Sequence, residues 1–410
     1  MKVATLMWIL LLLSGPSSSG SGQPTKGATN RAGLLYAEVT MITGNIYRGS
    51  LRWGKEEAFW GDHFDSSKES LPYAKHIPDE IRRKKKNIKV LGVRVGSEFK
   101  NLSPSRRFTC RFGDIEQIIV NGSEDAIVHV KSGSMFQVRG YANDVGGQIR
   151  VWDEELGEME LDWRDLAKIE FIPVPKGGGP EIHRLHGMVT TNQGTYEGFI
   201  QWDLEECLSS DLLDGDADGK RHSIPMGDLT RIERVPGNKV RITRTSGEQL
   251  TLGGTNDVND DNKGIMVENP DYGRVKIKWE QFKSLDFKQV DHTGPDFDEF
   301  TQQGRLRGSV TTKNGQKHQG HLVFDIDESE TWELLDGHTK GVEYSIPFVM
   351  VDTLEPTPHH SKVRLKSGLE LTLNGTADVT TDNLGLLVIS AKDAEPLYLE
   401  WAQVERINLD

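Results

Sequence analysis

Adjacent carboxylates, an aspartate run and a block of cations are the groupings in this sequence that can support chemistry. Glu56-Glu57, Glu205-Glu206 and Asp327-Glu328 are neighbouring acids, and two carboxyl groups facing one bond can hydrolyse a glycoside. All three pairs stand at the same place in a repeated pattern, just after an opening strand, which suits a solvated turn better than an active site. Asp214-Gly-Asp216-Ala-Asp218-Gly219 sets alternate carboxylates before a sharp glycine turn, an arrangement that can wrap Ca²⁺. Its twelfth position is Pro225 rather than Glu, so it is not an EF-hand loop. Leu335-Asp336-Gly337 stands at the corresponding place without the later aspartates, so the same stretch also reads as a plain hairpin turn. Asp214, Asp216 and Asp218 are therefore a candidate Ca²⁺ site beside a candidate turn.

Arg82-Arg83-Lys84-Lys85-Lys86 is a block of cations in an acidic chain. It is either a solvated loop or a dock for an anionic lipid surface, a phosphorylated glycan or an acidic protein, each cation contributing about 1 kcal/mol near an anionic membrane. Trp60, Trp152 and Trp332 break the internal repeat described below, and exposed indoles stack on sugars or anchor protein interfaces. These eight residues are the candidate partner-binding set. No G-x-S-x-G elbow, phosphate-binding glycine loop or H-E-x-x-H occurs. His183 and His186, like His318 and His321, are three apart, which on a strand sends them to opposite faces. No catalytic or cofactor-binding residue is expected, Ca²⁺ apart.

The elements that must position these groups are strands. Tyr196, Gly198, Ile200 and Trp202 alternate with Glu197, Phe199, Gln201 and Asp203; Tyr47, Gly49, Leu51 and Trp53 alternate with Arg48, Ser50 and Arg52. Period two is what a half-buried strand requires. Gly49, Gly198 and Gly320 recur on the inward face, where glycine marks a bend or the close approach of another backbone.

The strands fall into a pattern that occurs three times. Opening strands carry Trp53, Trp202 or Phe324; Ser-Gly turns follow at Ser132, Ser246 and Ser367. Asp-Val pairs stand at Asp144, Asp257 and Asp378, and closing segments carry Trp163, Trp279 or Trp401. The fold class expected is all-β: three tandem repeats of a small antiparallel β domain, either a curved barrel or a compact sandwich. The repeats span about 36–173, 185–288 and 305–410, the first with an insertion at about 58–107. The stretches Pro173–Pro180 and Val290–Gly304, of Pro/Gly/polar composition, read as exposed connections. The recurring tryptophans read as core anchors and the recurring aspartates as turn caps.

Sixty-two acidic against 49 basic side chains give a formal charge of −13 over 410 residues, which argues against nucleic acid as the partner. One Lys, an apolar run and a Ser/Gly-rich stretch within residues 1–22 read as a signal peptide, cleaved or retained as an anchor. The protein is thus expected to be exported, whether periplasmic, on the cell surface or secreted. Cys110 and Cys207 occupy positions that do not correspond and read as isolated thiols. Together these features indicate a non-catalytic adaptor, scaffold or accessory subunit whose partner is a protein, in a surface or membrane-bound assembly. A carbohydrate- or cell-wall-binding protein is the alternative, and a glycoside-processing enzyme the last.

Overall fold

Burial alternates where the sequence alternates. Along Asp125–Val130, His186–Thr191 and Arg307–Thr312 every second residue is buried, as a strand with one wet face requires. The computed structural model describes residues 31–90, 93–101, 107–140, 144–176, 182–301, 303–391 and 394–410, with the backbone alone over 82–101. The expected leader at 1–22 lies outside the described residues. No helix among the described residues is long and apolar enough to cross a membrane.

The protein is all-β and antiparallel, and one strand order occurs in three successive stretches, here called units. In the first unit, neighbours across the sheet are Gly157–Leu161, Ile149–Asp153, Ile46–Trp53, Tyr36–Met41, Leu166–Phe171, Ile115–Val120, Asp125–Val130 and Met135–Arg139. The second runs Gly273–Ile277, Ile265–Asn269, Thr195–Gln201, His186–Thr191, Phe282–Phe287, Leu229–Val235, Lys239–Arg244 and Gln249–Leu252. In the third the order is Leu397–Leu399, Leu386–Ile389, Lys317–Phe324, Arg307–Thr312, Val404–Leu409, Val351–Pro356, Ser361–Leu365 and Glu370–Leu373. Each unit also has a hairpin inserted after its second strand in sequence. These are His63–Lys68 with Arg107–Arg111, Leu212–Ala217 with Lys220–Pro225, and Leu334–Thr339 with Val342–Pro347.

Equivalent aromatics meet in each core. Trp53 packs edge-on against Trp163 at 6.0 Å, Trp202 against Trp279 at 6.0 Å, and Phe324 against Trp401 at 5.6 Å. The three tryptophans expected on closing strands sit one turn earlier: Trp163 and Trp401 each open a 3-10 turn that delivers the chain into the closing strand. The inward glycines are steric requirements. A Cβ at Gly49, Gly198 or Gly320 would lie 2.0, 2.2 or 2.3 Å from the carbonyl oxygen of Trp152, Glu268 or Ile389 on the next strand.

Simple alternation fails where units touch. Ser50, Arg52 and Phe199, expected to face water, are buried; Arg52 reaches Asp211 of the second unit, and Phe199 packs against Arg184 and against His292 of the connection that follows. The Val290–Gly304 connection is not wholly exposed either. Phe297 and Phe300 are buried against the first unit, where Lys131 Nζ lies 3.2 Å from the Phe297 ring centroid. The second and third units share a sheet, Gly273–Ile277 pairing with Val342–Pro347. The first unit's insertion reaches the third: Ile77 packs with Val323, Ile326, Leu384 and Leu387. Every unit therefore contacts both others, and the three do not form an extended row.

Candidate functional site

The acidic pairs lie in tight turns at the end of the second strand. Trp53, Trp202 and Phe324 each donate a backbone N–H to the carbonyl of Glu57, Glu206 or Glu328, at 2.8, 2.8 and 2.7 Å. That geometry splits each pair. The first members bind cations in two cases: Glu205 pairs with Lys263, and Asp327 with Lys68. The second members turn inward, and the Oε2 atoms of Glu57, Glu206 and Glu328 are buried with no hydrogen-bond partner. A turn is present, then, but Glu57, Glu206 and Glu328 are half-buried in it, each with one carboxyl oxygen shut away from water.

Beside these acids lie the recurring aspartates, which cap the inserted hairpins. The carboxylates of Asp144, Asp257 and Asp378 accept the backbone N–H of Asp65, Asp214 and Asp336 at 2.5, 2.7 and 2.7 Å. Burial, and then the nearby Asp257, push the Glu206 carboxyl up to about 8. Burial with Asp144 raises Glu57, and burial with Asp378 raises Glu328. At about 8, the Glu206 carboxyl keeps its proton at neutral pH. A general acid must also reach a substrate. Cavities of about 860 and 600 Å³ open on the second unit, the larger between His186, Met226 and Lys288, the smaller between Arg231, Arg234 and Lys283. Neither is lined by the acidic turns.

A second set of recurring carboxylates joins the units. Asp62 accepts the backbone N–H groups of Ala58 and Phe59 at 2.8 and 2.9 Å, and Asp211 those of Cys207 and Leu208 at 2.9 Å each. Glu333 does the same for Ser329 and Glu330 at 2.5 and 2.9 Å. The free oxygen of each then receives a cation from a different unit. Asp211 is held bidentately by Arg52 at 2.6 and 3.0 Å. Asp62 accepts from Arg184 at 3.2 Å and Arg274 at 3.0 Å, while Arg184 also pairs with Glu268 at 2.7 Å. The Arg184 guanidinium sits 4.3 Å from the ring centroids of both Phe59 and Phe199. Lys68 reaches Glu333 at 2.7 Å and Asp327 at 2.8 Å. Burial opposes the Lys68 charge, but the two carboxylates more than offset it and hold the ammonium above its ordinary range. Sequence reasoning missed Asp62, Asp211 and Glu333. Their signal was a constant spacing after Trp53, Trp202 and Phe324.

Two of the three pattern-breaking tryptophans are corrected. Trp60 is fully buried, 4.6 Å from Phe297, and its indole donates to the Ala32 carbonyl at 2.9 Å. Trp332 is 1% exposed, lies 5.5 Å from both Phe108 and Phe136 of the first unit, and donates to Glu330 at 2.7 Å. Both indoles bind another part of this chain rather than an external partner. Trp152 alone of the three remains half-exposed, paired in register with Ser50 and Glu158.

Asp214 and Asp216 lie on one strand of a hairpin. Asp214 accepts from Ser223 at 2.6 Å and Arg221 at 3.3 Å, and Asp216 lies 3.9 Å from Arg221. Asp218 and Gly219 form the two-residue turn, with φ of 50° and 73°. Among the described residues no group of three or more His, Cys, Asp or Glu side chains is disposed to hold a metal ion. Arg82 ends a short helix, and Arg83, Lys84, Lys85 and Lys86 begin a strand, Arg83–Val90, paired with Val93–Asn101; their side chains lie outside the described residues. Cys110 and Cys207 are buried free thiols.

No family model matches the chain, and no curated protein does. Among solved structures, one titled "Streptogramin B lyase structure" aligns over 86% of this chain and 99% of its own, at 11% identity and a TM-score of 0.10. That score carries no inference about fold or activity.

Proposed function

We propose that this protein is a non-catalytic scaffold outside the cytoplasm, an adaptor or accessory subunit of a surface or membrane-associated assembly. The observation that carries this reading is the hairpin of residues 83–101, which forms a two-stranded sheet of its own. An isolated two-stranded hairpin is marginal in water. This one holds Arg83, Lys84, Lys85, Lys86, Lys89, Arg94 and Lys100 against a single acid, Glu98. Its register sets Lys84 opposite Lys100 and Lys89 opposite Arg94, like-charge pairs that destabilise a ladder. An anionic partner lying along the hairpin would relieve that repulsion. The recurring tryptophans and carboxyl groups, meanwhile, are engaged in building and joining the units. The leader-like N-terminus supports export.

The test is affinity capture from the source membrane fraction with wild-type protein and a Lys84→Glu/Lys85→Glu/Lys86→Glu variant. Wild type is expected to retain a defined partner that the variant loses; equal recovery, or no partner with either, contradicts the proposal. A carbohydrate-binding role keeps only Trp152 of its three motivating aromatics. It would be supported by loss of cell-wall binding in Trp152→Ala.

A further inference from the structure

The junction between the second and third units is a worked case of strand addition, and its two halves exist elsewhere in the chain unpaired. In that junction the edge strand Gly273–Ile277 takes the hairpin strand Val342–Pro347, with Val275 opposite Tyr344, Lys276 opposite Glu343 and Ile277 opposite Val342. The charged cross-pair fixes sign as well as register, and Lys278 adds a bridge to Glu343 at 3.0 Å.

The first unit's equivalent edge strand is Gly157–Leu161. Both strands begin at a left-handed glycine, Gly157 at φ 78° and Gly273 at φ 77°, and each pairs inward with one neighbour in matching register. Glu158, Met159 and Glu160 thus stand where Arg274, Val275 and Lys276 stand. The second unit's equivalent hairpin strand is Lys220–Pro225, which puts Lys220, Arg221 and His222 in the places of Val342, Glu343 and Tyr344. Among the described residues neither Gly157–Leu161 nor Lys220–Pro225 has a strand on its outer side. Burial follows pairing. Residues 273–275 are buried in the used edge, whereas Gly157 and Glu158 are exposed; Val342 and Tyr344 are buried, whereas Lys220 is exposed and His222 half-exposed.

We infer that a second copy of this chain docks by strand addition, its Lys220–Pro225 edge pairing with the Gly157–Leu161 edge of the first. Transferring the observed register places Met159 opposite His222, Glu160 opposite Arg221 and Leu161 opposite Lys220. Glu160 opposite Arg221 reproduces the Lys276–Glu343 pair with its signs exchanged. Charge of one sign along an edge prevents that edge from pairing with itself. Opposite signs on two edges of one molecule leave the crossed pairing as the attractive one. The contact joins two different edges, so it builds either a two-fold dimer in which both edges pair reciprocally, or a larger ring or filament. The inference does not depend on the scaffold role, since it concerns self-association alone.

The test is sedimentation velocity on the full chain over a wide concentration range, with Glu160→Arg, Arg221→Glu and the double variant. Both sites are exposed, and matching circular dichroism will establish that each variant folds. Wild type is expected to associate with rising concentration. Each single variant should shift the midpoint at least tenfold, and the double variant, like an equimolar mixture of the singles, should restore association. A wild type that stays monomeric throughout overturns the inference. So does an oligomer that neither single substitution weakens, or a double variant no better than the singles.

Discussion

The first unit is held to the other two by side chains, whereas the second and third are held together by backbone. Lys68, Arg52, Arg184 and Arg274 are drawn into the first unit's two junctions with their carboxylates, and Trp60 and Trp332 fill the remaining space. Between the second and third units a ladder of main-chain hydrogen bonds adds the third unit's inserted hairpin to the second unit's sheet, and a single core runs through both. One strand order thus docks in two physically different ways. The ladder needs only an open edge and alternating apolar residues. The ionic junctions need each cation to meet each carboxylate, because removing one member strands a buried charge, although the intact pair adds little net stability.

The largest effect expected follows from that asymmetry. Lys68→Met leaves Asp327 and Glu333 buried without their cation and should cost about 3–5 kcal/mol in denaturant unfolding. Val342→Ala in the shared ladder removes buried methyl groups but keeps every main-chain bond, and should cost about 1–2 kcal/mol. Equal losses would erase the distinction between the two junctions. A smaller, pH-dependent effect belongs to the inward glutamates. A carboxyl held above its ordinary value binds its proton more tightly folded than unfolded. For Glu206 that contribution is complete below the ordinary 4.5 and is lost as pH rises through about 8. Wild type should therefore melt at a lower temperature at pH 8 than at pH 5.5. Glu206→Gln, which cannot ionise, should show a weaker dependence, and an unchanged slope would show that Glu206 is not protonated in the folded protein.

The same comparison explains what was legible from sequence. Strands, inward glycines, core tryptophans and the capping role of Asp144, Asp257 and Asp378 depend on contacts within one unit, and these local patterns specify them. The burial of Ser50, Arg52 and Phe199 was not legible, because alternation describes one sheet facing water and says nothing of what packs against its outer face. Trp60 and Trp332 were correctly marked as departures from the repeat but assigned to external partners, since a lone sequence does not distinguish an interface between molecules from one within the chain. In Val290–Gly304 the Pro/Gly/polar composition outweighed Phe297 and Phe300, the two aromatics that dock it. The Asp62, Asp211 and Glu333 positions carried a repeat signal that went unread because acids in turns are ordinary.

Equilibrium unfolding in denaturant, followed together by tryptophan fluorescence and far-ultraviolet circular dichroism, bears most directly on whether the units form one locked body. A single transition coincident in both signals is expected for wild type, with Lys68→Met moving it to lower denaturant or splitting it. Separate transitions in the wild type, or a Lys68→Met curve superimposable on it, would contradict the locked arrangement.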